Sequence, residues 1–106
     1  MNLLLVADIG GTNGRFGLVE FDADKNRANG KVNYTAERQI TLKCANYPDM
    51  ATMIKACCSE FGIEIPAYAC LAIAGPIENG QASMTNLNWK FSIDGLRDQL
   101  GMKTLH

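Results

Sequence analysis

The chain reads as a mixed α/β unit, with antiparallel hairpins first and helices packed on the sheet later. Three observations predict this class. The apolar runs Leu3–Ala7 and Tyr68–Ala74 lack alternation, the mark of strands covered on both faces in mid-sheet. The pairs Asn29-Gly30 and Asn79-Gly80 are tight-turn signals between strand-like segments, because both residue types tolerate positive φ. Met50, Met53, Ile54, Cys57, Cys58 and Phe61 recur at the spacing of a single helix face.

In chain order, the strand Leu3–Ala7 ends at Asp8, and Arg15–Phe21 forms a second strand. The polar stretch DADKNRANGK carries the chain to a third strand, Val32–Leu42. A helix is expected from Pro48, a residue suited to the first helical position, to just before Gly62. After Tyr68–Ala74, closed by Gly75 and Pro76, the Asn79-Gly80 turn leads into a strand at Gln81–Met84. The loop TNLNW then reaches Ser92, an N-cap for a short helix with Asp94 in its first turn and Gly101 just past its end. Lys103–His106 reads as the opening of another strand.

Size and charge limit the function classes. A chain of 106 residues is one small domain or a piece of a larger one. It buries roughly two thirds of its unfolded surface, enough for a core but not for a core plus a deep interdomain cleft. The net charge of -1, with 20% charged residues, offers no basic field to nucleic acid or to an anionic membrane, so neither is expected as a partner. Leu3–Ala7 is too short to span a bilayer and lacks the basic flank of a secretory signal, so a cytoplasmic location is expected. The four cysteines, Cys44, Cys57, Cys58 and Cys70, show no CxxC spacing, and His106 is the one histidine. They read as reduced thiols acting as small core hydrophobes, not as a zinc site.

Chemistry concentrates in DIGGTN, Asp8 to Asn13. A Walker loop is excluded because the one Gly-Lys pair, Gly30-Lys31, is followed by Val32. A dinucleotide fingerprint ending at Gly14 would need glycine at Ile9, and the turn leads into a strand instead of a helix. What remains is a hairpin turn whose glycines let the backbone approach a ligand, with N–H groups able to hold phosphate oxygens. Thr12 and Asn13 add short donors, Arg15 adds positive charge, and Asp8 is suited to a hydrated magnesium ion. The plainer alternative is a tight hairpin in which Asp8 bonds to local backbone and Arg15 is solvated.

The string VADIGGTNGRFGLVEFD resembles the first phosphate segment of the sugar kinases in the actin, heat-shock ATPase and hexokinase superfamily. AIAGPI at Ala72–Ile77 and MTNLNWKFSI at Met84–Ile93 resemble the matching segments of bacterial glucokinases, in the same order and at similar spacing. The resemblance implies a ribonuclease-H-like (actin-like ATPase) domain and transfer of phosphate from ATP, with magnesium, to the 6-hydroxyl of glucose. It also implies that Ala7, Asp8, Ile9, Gly10, Gly11, Thr12, Asn13 and Arg15 form the ATP-binding segment. Asp8 would face the metal, Asn86 the hexose, and Gly75 and Pro76 would shape the loop between the two halves. Trp89 is a core aromatic or a sugar platform, and Gly14 stands where the family usually has alanine. The family's members are often homodimers.

One departure matters. In glucokinases the strand that begins near Lys103 runs into an Asn-Asp-Phe segment whose aspartate is the general base, and this sequence stops at His106. Asp94 and Asp98 read as helix-start and solvent-facing charges and Glu78 sits beside a turn with no paired acid, so no residue of the chain is assigned a catalytic role. Residues 1–106 are therefore expected to be the N-terminal part of a glucokinase-like fold, without its C-terminal lobe and inactive alone. Two rivals are a sugar-binding regulator without turnover and a sugar-independent actin-like ATPase.

Overall fold

A computed structural model of the chain describes residues 2–21, 35–84 and 87–106. The expected Asn29-Gly30 turn and the first residues of the expected third strand lie outside the described residues. Strands β1 (Asn2–Ile9), β2 (Asn13–Phe21) and β3 (Thr35–Lys43) precede helix α1 (Met50–Phe61). They are followed by β4 (Tyr68–Ile73), β5 (Ile77–Glu78), β6 (Gln81–Met84), β7 (Trp89–Ser92), helix α2 (Ile93–Leu100) and β8 (Thr104–Leu105).

The main sheet has the order β3-β2-β1-β4-β8. β2 is antiparallel to β1 and to β3, whereas β1, β4 and β8 run parallel, so β2 alone opposes the rest. Parallel neighbours need a crossover, supplied by α1 between β3 and β4 and by the segment ending in α2 between β4 and β8. The expected β1 is two residues too short at its C-terminal end, because Asp8 and Ile9 still pair with Arg15 and Gly14 across the hairpin.

Strand alternation divides the residues of this sheet between two faces. Leu5, Ala7 and Ile9 of β1, Phe16 and Leu18 of β2 and Ala69 of β4 join one buried cluster with Met50, Met53, Ile54, Cys57 and Phe61 of α1. Leu96 and Leu100 of α2 belong to the same cluster. Each fully buried large side chain here, such as Phe16 or Ile54, stabilises the fold by about 2 kcal/mol. The opposite face differs from the expectation of strands covered on both sides. Leu4 and Val6 are half-buried, while Asp8, Cys70 and Ala72 are exposed. Both described helices pack on the first face, and an unalternating apolar run does not reveal that only one side is covered.

The same division corrects the reading of the cysteines. Cys44, Cys57 and Cys58 are buried, but Cys70 is exposed because it pairs in register with Val6 on the second face. Burial, helped by the neighbouring Cys58, pushes the Cys57 thiol up to about 12, so it stays protonated and unreactive at neutral pH.

Both helices are delimited by local chemistry. α1 starts at Met50, two residues after the expected start at Pro48, because the Asp49 carboxylate caps it by accepting from Thr52 N at 2.7 Å. At its end Gly62 adopts φ 72°, and Ile63 N donates to Cys58 O at 3.0 Å, the Schellman pattern. Arg38 of β3 donates to Phe61 O at 2.7 Å and lies 5.4 Å from the Phe61 ring centroid, so a cation neutralises the helix C-terminus. α2 follows the sequence expectation: Ser92 caps it through Gly95 N at 3.1 Å, and Gly101 ends it at φ 71°.

Between β4 and α2 the chain forms a second antiparallel sheet, of order β5-β6-β7. Asn79 and Gly80, at φ 53° and 74°, make the expected tight turn between β5 and β6. The small sheet is pressed against the end of β4. A Cβ at Gly75 would fall on the Ser83 carbonyl oxygen, and Ser83 N donates to Pro76 O at 3.1 Å. Trp89 opens β7 and is 5% exposed, a core aromatic.

The fold yields two predictions, readable by denaturant unfolding. Gly75→Ala drives a methyl into backbone and should cost about 3 kcal/mol. Gly80→Ala, strained only by its left-handed φ with open space around it, should cost about 1 kcal/mol. Equal losses would refute the steric account of Gly75. Asp49→Ala should cost about 1 kcal/mol at pH 7. Hydrogen bonds from Thr52 hold the Asp49 carboxyl below its usual range, so the cap's contribution is present above the unfolded pKa of about 4 and is lost as pH falls through the lower folded value. The gap between variant and parent should therefore narrow in acid.

Candidate functional site

The turn from β1 to β2 sits at the C-terminal end of the central strand. Ile9 is buried under α1, which anchors the last strand residue. Gly10 N donates to Asn13 O at 2.9 Å and closes the hairpin. Gly11 and Thr12 form the tip, and both are exposed. Asn13, expected in the turn, is the first residue of β2 and is also exposed. Gly10 is not required by the hairpin itself: its φ is not left-handed, and an added Cβ would meet nothing nearer than Asn13 O at 3.6 Å, an ordinary contact.

The turn is braced on two sides. Towards β4, Ala74 N donates to Ile9 O at 2.9 Å. Towards β3, Cys44 N donates to Thr12 O at 2.9 Å, and Cys44 Sγ donates to Gly10 O at 3.4 Å. These braces were not legible in the sequence, because Cys44 stands 34 positions from Gly10 and carries no motif of its own. Only the pairing of β3 on β2, Asn13 opposite Lys43, delivers Cys44 to the turn.

Asp8 and Arg15 are direct cross-strand partners, and both are exposed on the face away from α1. With Val6, Gly17, Gln39 and Thr41 they line a groove of about 340 Å³ running beside the turn. The structure thus brings together Asp8, the Gly10–Thr12 tip, Asn13 and Arg15, while Ala7 and Ile9 of the expected segment have their side chains in the core. Asn86 lies outside the described residues. Of the acids set aside as bases, Asp94 and Asp98 pair with Arg97 at 3.2 and 3.1 Å, and Glu78 is exposed on β5.

Chemically, the arrangement offers backbone amides, a hydroxyl, a carboxamide and a guanidinium to anionic oxygens, with one carboxylate alongside. Among the described residues no group of three or more His, Cys, Asp or Glu gathers. A lone Asp8 therefore suits an ion that keeps most of its waters and shares phosphate oxygens, which is magnesium's habit. No helix among the described residues is long and apolar enough to cross a membrane.

Known proteins resemble this chain over nearly its whole length. A family model described as Glucokinase matches residues 5–106. The glucokinase of Caulobacter vibrioides (strain NA1000 / CB15N) is 42% identical over 99 residues, covering 93% of this chain and 28% of that protein. The glucokinase of Chromohalobacter salexigens is 39% identical over 100 residues, covering 92% of this chain and 27% of its own length. Among solved structures, a glucokinase from an Antarctic psychrotroph superposes with a TM-score of 0.81 at 37% identity, over 99% of this chain and 31% of that one. The chain thus spans under a third of the length of the relatives it matches. Since the match runs through the braced turn, both sheets and both helices, this chain belongs to the glucokinase family.

Proposed function

We propose that the protein to which this chain belongs transfers the γ-phosphoryl group of ATP to the 6-hydroxyl of glucose, and that residues 1–106 form its N-terminal, phosphate-binding part. The observation that carries this reading is the β1–β2 turn, whose Gly10 and Thr12 carbonyls are tied back to Cys44 while its tip stays exposed. A glycine at position 10 that the hairpin does not need is accounted for by a ligand that needs the space. The strand order β3-β2-β1-β4-β8, with β2 alone reversed, supports a ribonuclease-H-like class.

The chain's own groups divide the work. The Gly11 and Thr12 amides, the Thr12 hydroxyl and the Asn13 carboxamide hold phosphate oxygens in a turn that does not have to reorganise as charge develops. Arg15 neutralises further charge. Asp8 would hold a hydrated magnesium ion, whose charge would screen the repulsion between phosphates. Asn86 is assigned to the hexose side. No acid among the described residues is assigned as the general base. With this reading go the expectations of a cytoplasmic protein and, as is common among such kinases, a homodimer for the complete enzyme.

The test is ADP release by the full-length protein with magnesium and ATP, across a hexose panel with a sugar-free control. Release that requires glucose supports the kinase; equal release without sugar would replace it with an ATPase, and hexose binding without release with a regulator. In the same assay Asp8→Ala should lower kcat/KM at least about a hundredfold. Its unfolding midpoint should stay near that of the parent, because Asp8 is exposed. Parental turnover with unaltered magnesium dependence would remove Asp8 from the metal.

A further inference from the structure

We propose that Cys44 is a positioning residue for the phosphate turn: its thiol pins the Gly10–Gly11 peptide plane so that the Gly11 N–H is presented to the ligand. The inference rests on the reading of this turn as a phosphate site. Cys44 is 0% exposed and lies in the core cluster at the end of β3. Its backbone amide takes the Thr12 carbonyl at 2.9 Å, and its Sγ takes the Gly10 carbonyl at 3.4 Å. The described peptide bonds are all trans. In a trans peptide the C=O of one residue and the N–H of the next point in opposite directions. Holding Gly10 O against the buried thiol therefore directs Gly11 N–H away from the core, on an exposed residue. Without the thiol, nothing described retains Gly10 O on the core side. With glycine on both sides of that peptide, side-chain sterics do little to oppose rotation of its plane.

Burial pushes the Cys44 thiol up, so at neutral pH it carries its proton and donates. A thiolate in that place would face the Gly10 carbonyl with no hydrogen to offer. A serine hydroxyl keeps the donor in a slightly smaller volume, and alanine removes it while leaving the backbone amide to Thr12 O intact. These two substitutions separate the hydrogen bond from packing.

The experiment is calorimetric binding of ADP with magnesium to the full-length parent, Cys44→Ala and Cys44→Ser, with steady-state kinetics and thermal melting of each. Cys44→Ala should weaken nucleotide binding about fivefold, the scale of a single hydrogen bond, and raise the ATP KM in step while leaving the glucose KM unchanged. Cys44→Ser should lie within about twofold of the parent, since the hydroxyl restores the donor. Equal nucleotide affinity in parent and alanine variant overturns the proposal. So does an equal loss in both variants that follows their melting temperatures, which would make Cys44 a packing residue only. A parent that binds nucleotide but releases no ADP in response to sugar defeats the kinase reading alone, and the comparison of variants still decides the role of Cys44. A parent that binds no nucleotide defeats the phosphate reading and this proposal with it.

Discussion

Strand β1 carries a constraint from which the rest of the molecule follows. Successive side chains of a strand alternate between faces, so burying Leu5, Ala7 and Ile9 beneath α1 obliges Val6 and Asp8 to point the other way. A slip of one residue in the pairing of β1 would put Asp8 into the apolar cluster, where an unpaired carboxylate costs several kcal/mol. The register with β2 and β4 is thereby selected by the same burial that stabilises the fold. The consequence for chemistry is direct: a carboxylate stands at the end of the central strand, exposed, with Arg15 opposite it and the glycine turn just beyond.

That turn combines exposure at its tip with support at its base. Ile9 is immobilised in the core, its carbonyl is taken by Ala74, and the carbonyls of Gly10 and Thr12 are taken by Cys44. Acceptors that would repel an anion are thus occupied from the protein side, while Gly11, Thr12 and Asn13 remain at the surface. The proposed phosphate role draws on groups already oriented in this way before a ligand arrives. Beyond β4, Ala74 braces the turn from the other side, and the next residue, Gly75, lets the Ser83 backbone of the small β5-β6-β7 sheet approach closely.

Much of this was legible in the residues. The helix face of α1, the cap and stop of α2, the Asn79-Gly80 turn and the strand at Gln81–Met84 all arise from local periodicity and turn chemistry, which need no partner to be recognised. The AGPI and TNLNW segments, taken with DIGGTN, carried the resemblance to glucokinases that the comparisons then showed. Readings went astray where a distant contact decides. Leu3–Ala7 and Tyr68–Ala74 look covered on both sides, yet α1 and α2 pack on one face and leave Cys70 and Ala72 exposed. Pro48 looks like the first helical residue, yet the Asp49 carboxylate sets the start.

The sequence by itself determined which small, polar and charged residues stand between the first two strands, and the order of those strands. Those properties reside in single side chains and short spacings. Only the tertiary structure decided that Asp8 and Arg15 share an open face, that Gly10 is free of any demand from its own hairpin, and that Cys44 comes to lie against the Gly10 carbonyl. Each of these depends on strand register and on the pairing of β3 with β2, which bring together residues far apart in the chain. Such pairings are selected by the burial of the whole core, so no short stretch of sequence encodes them alone.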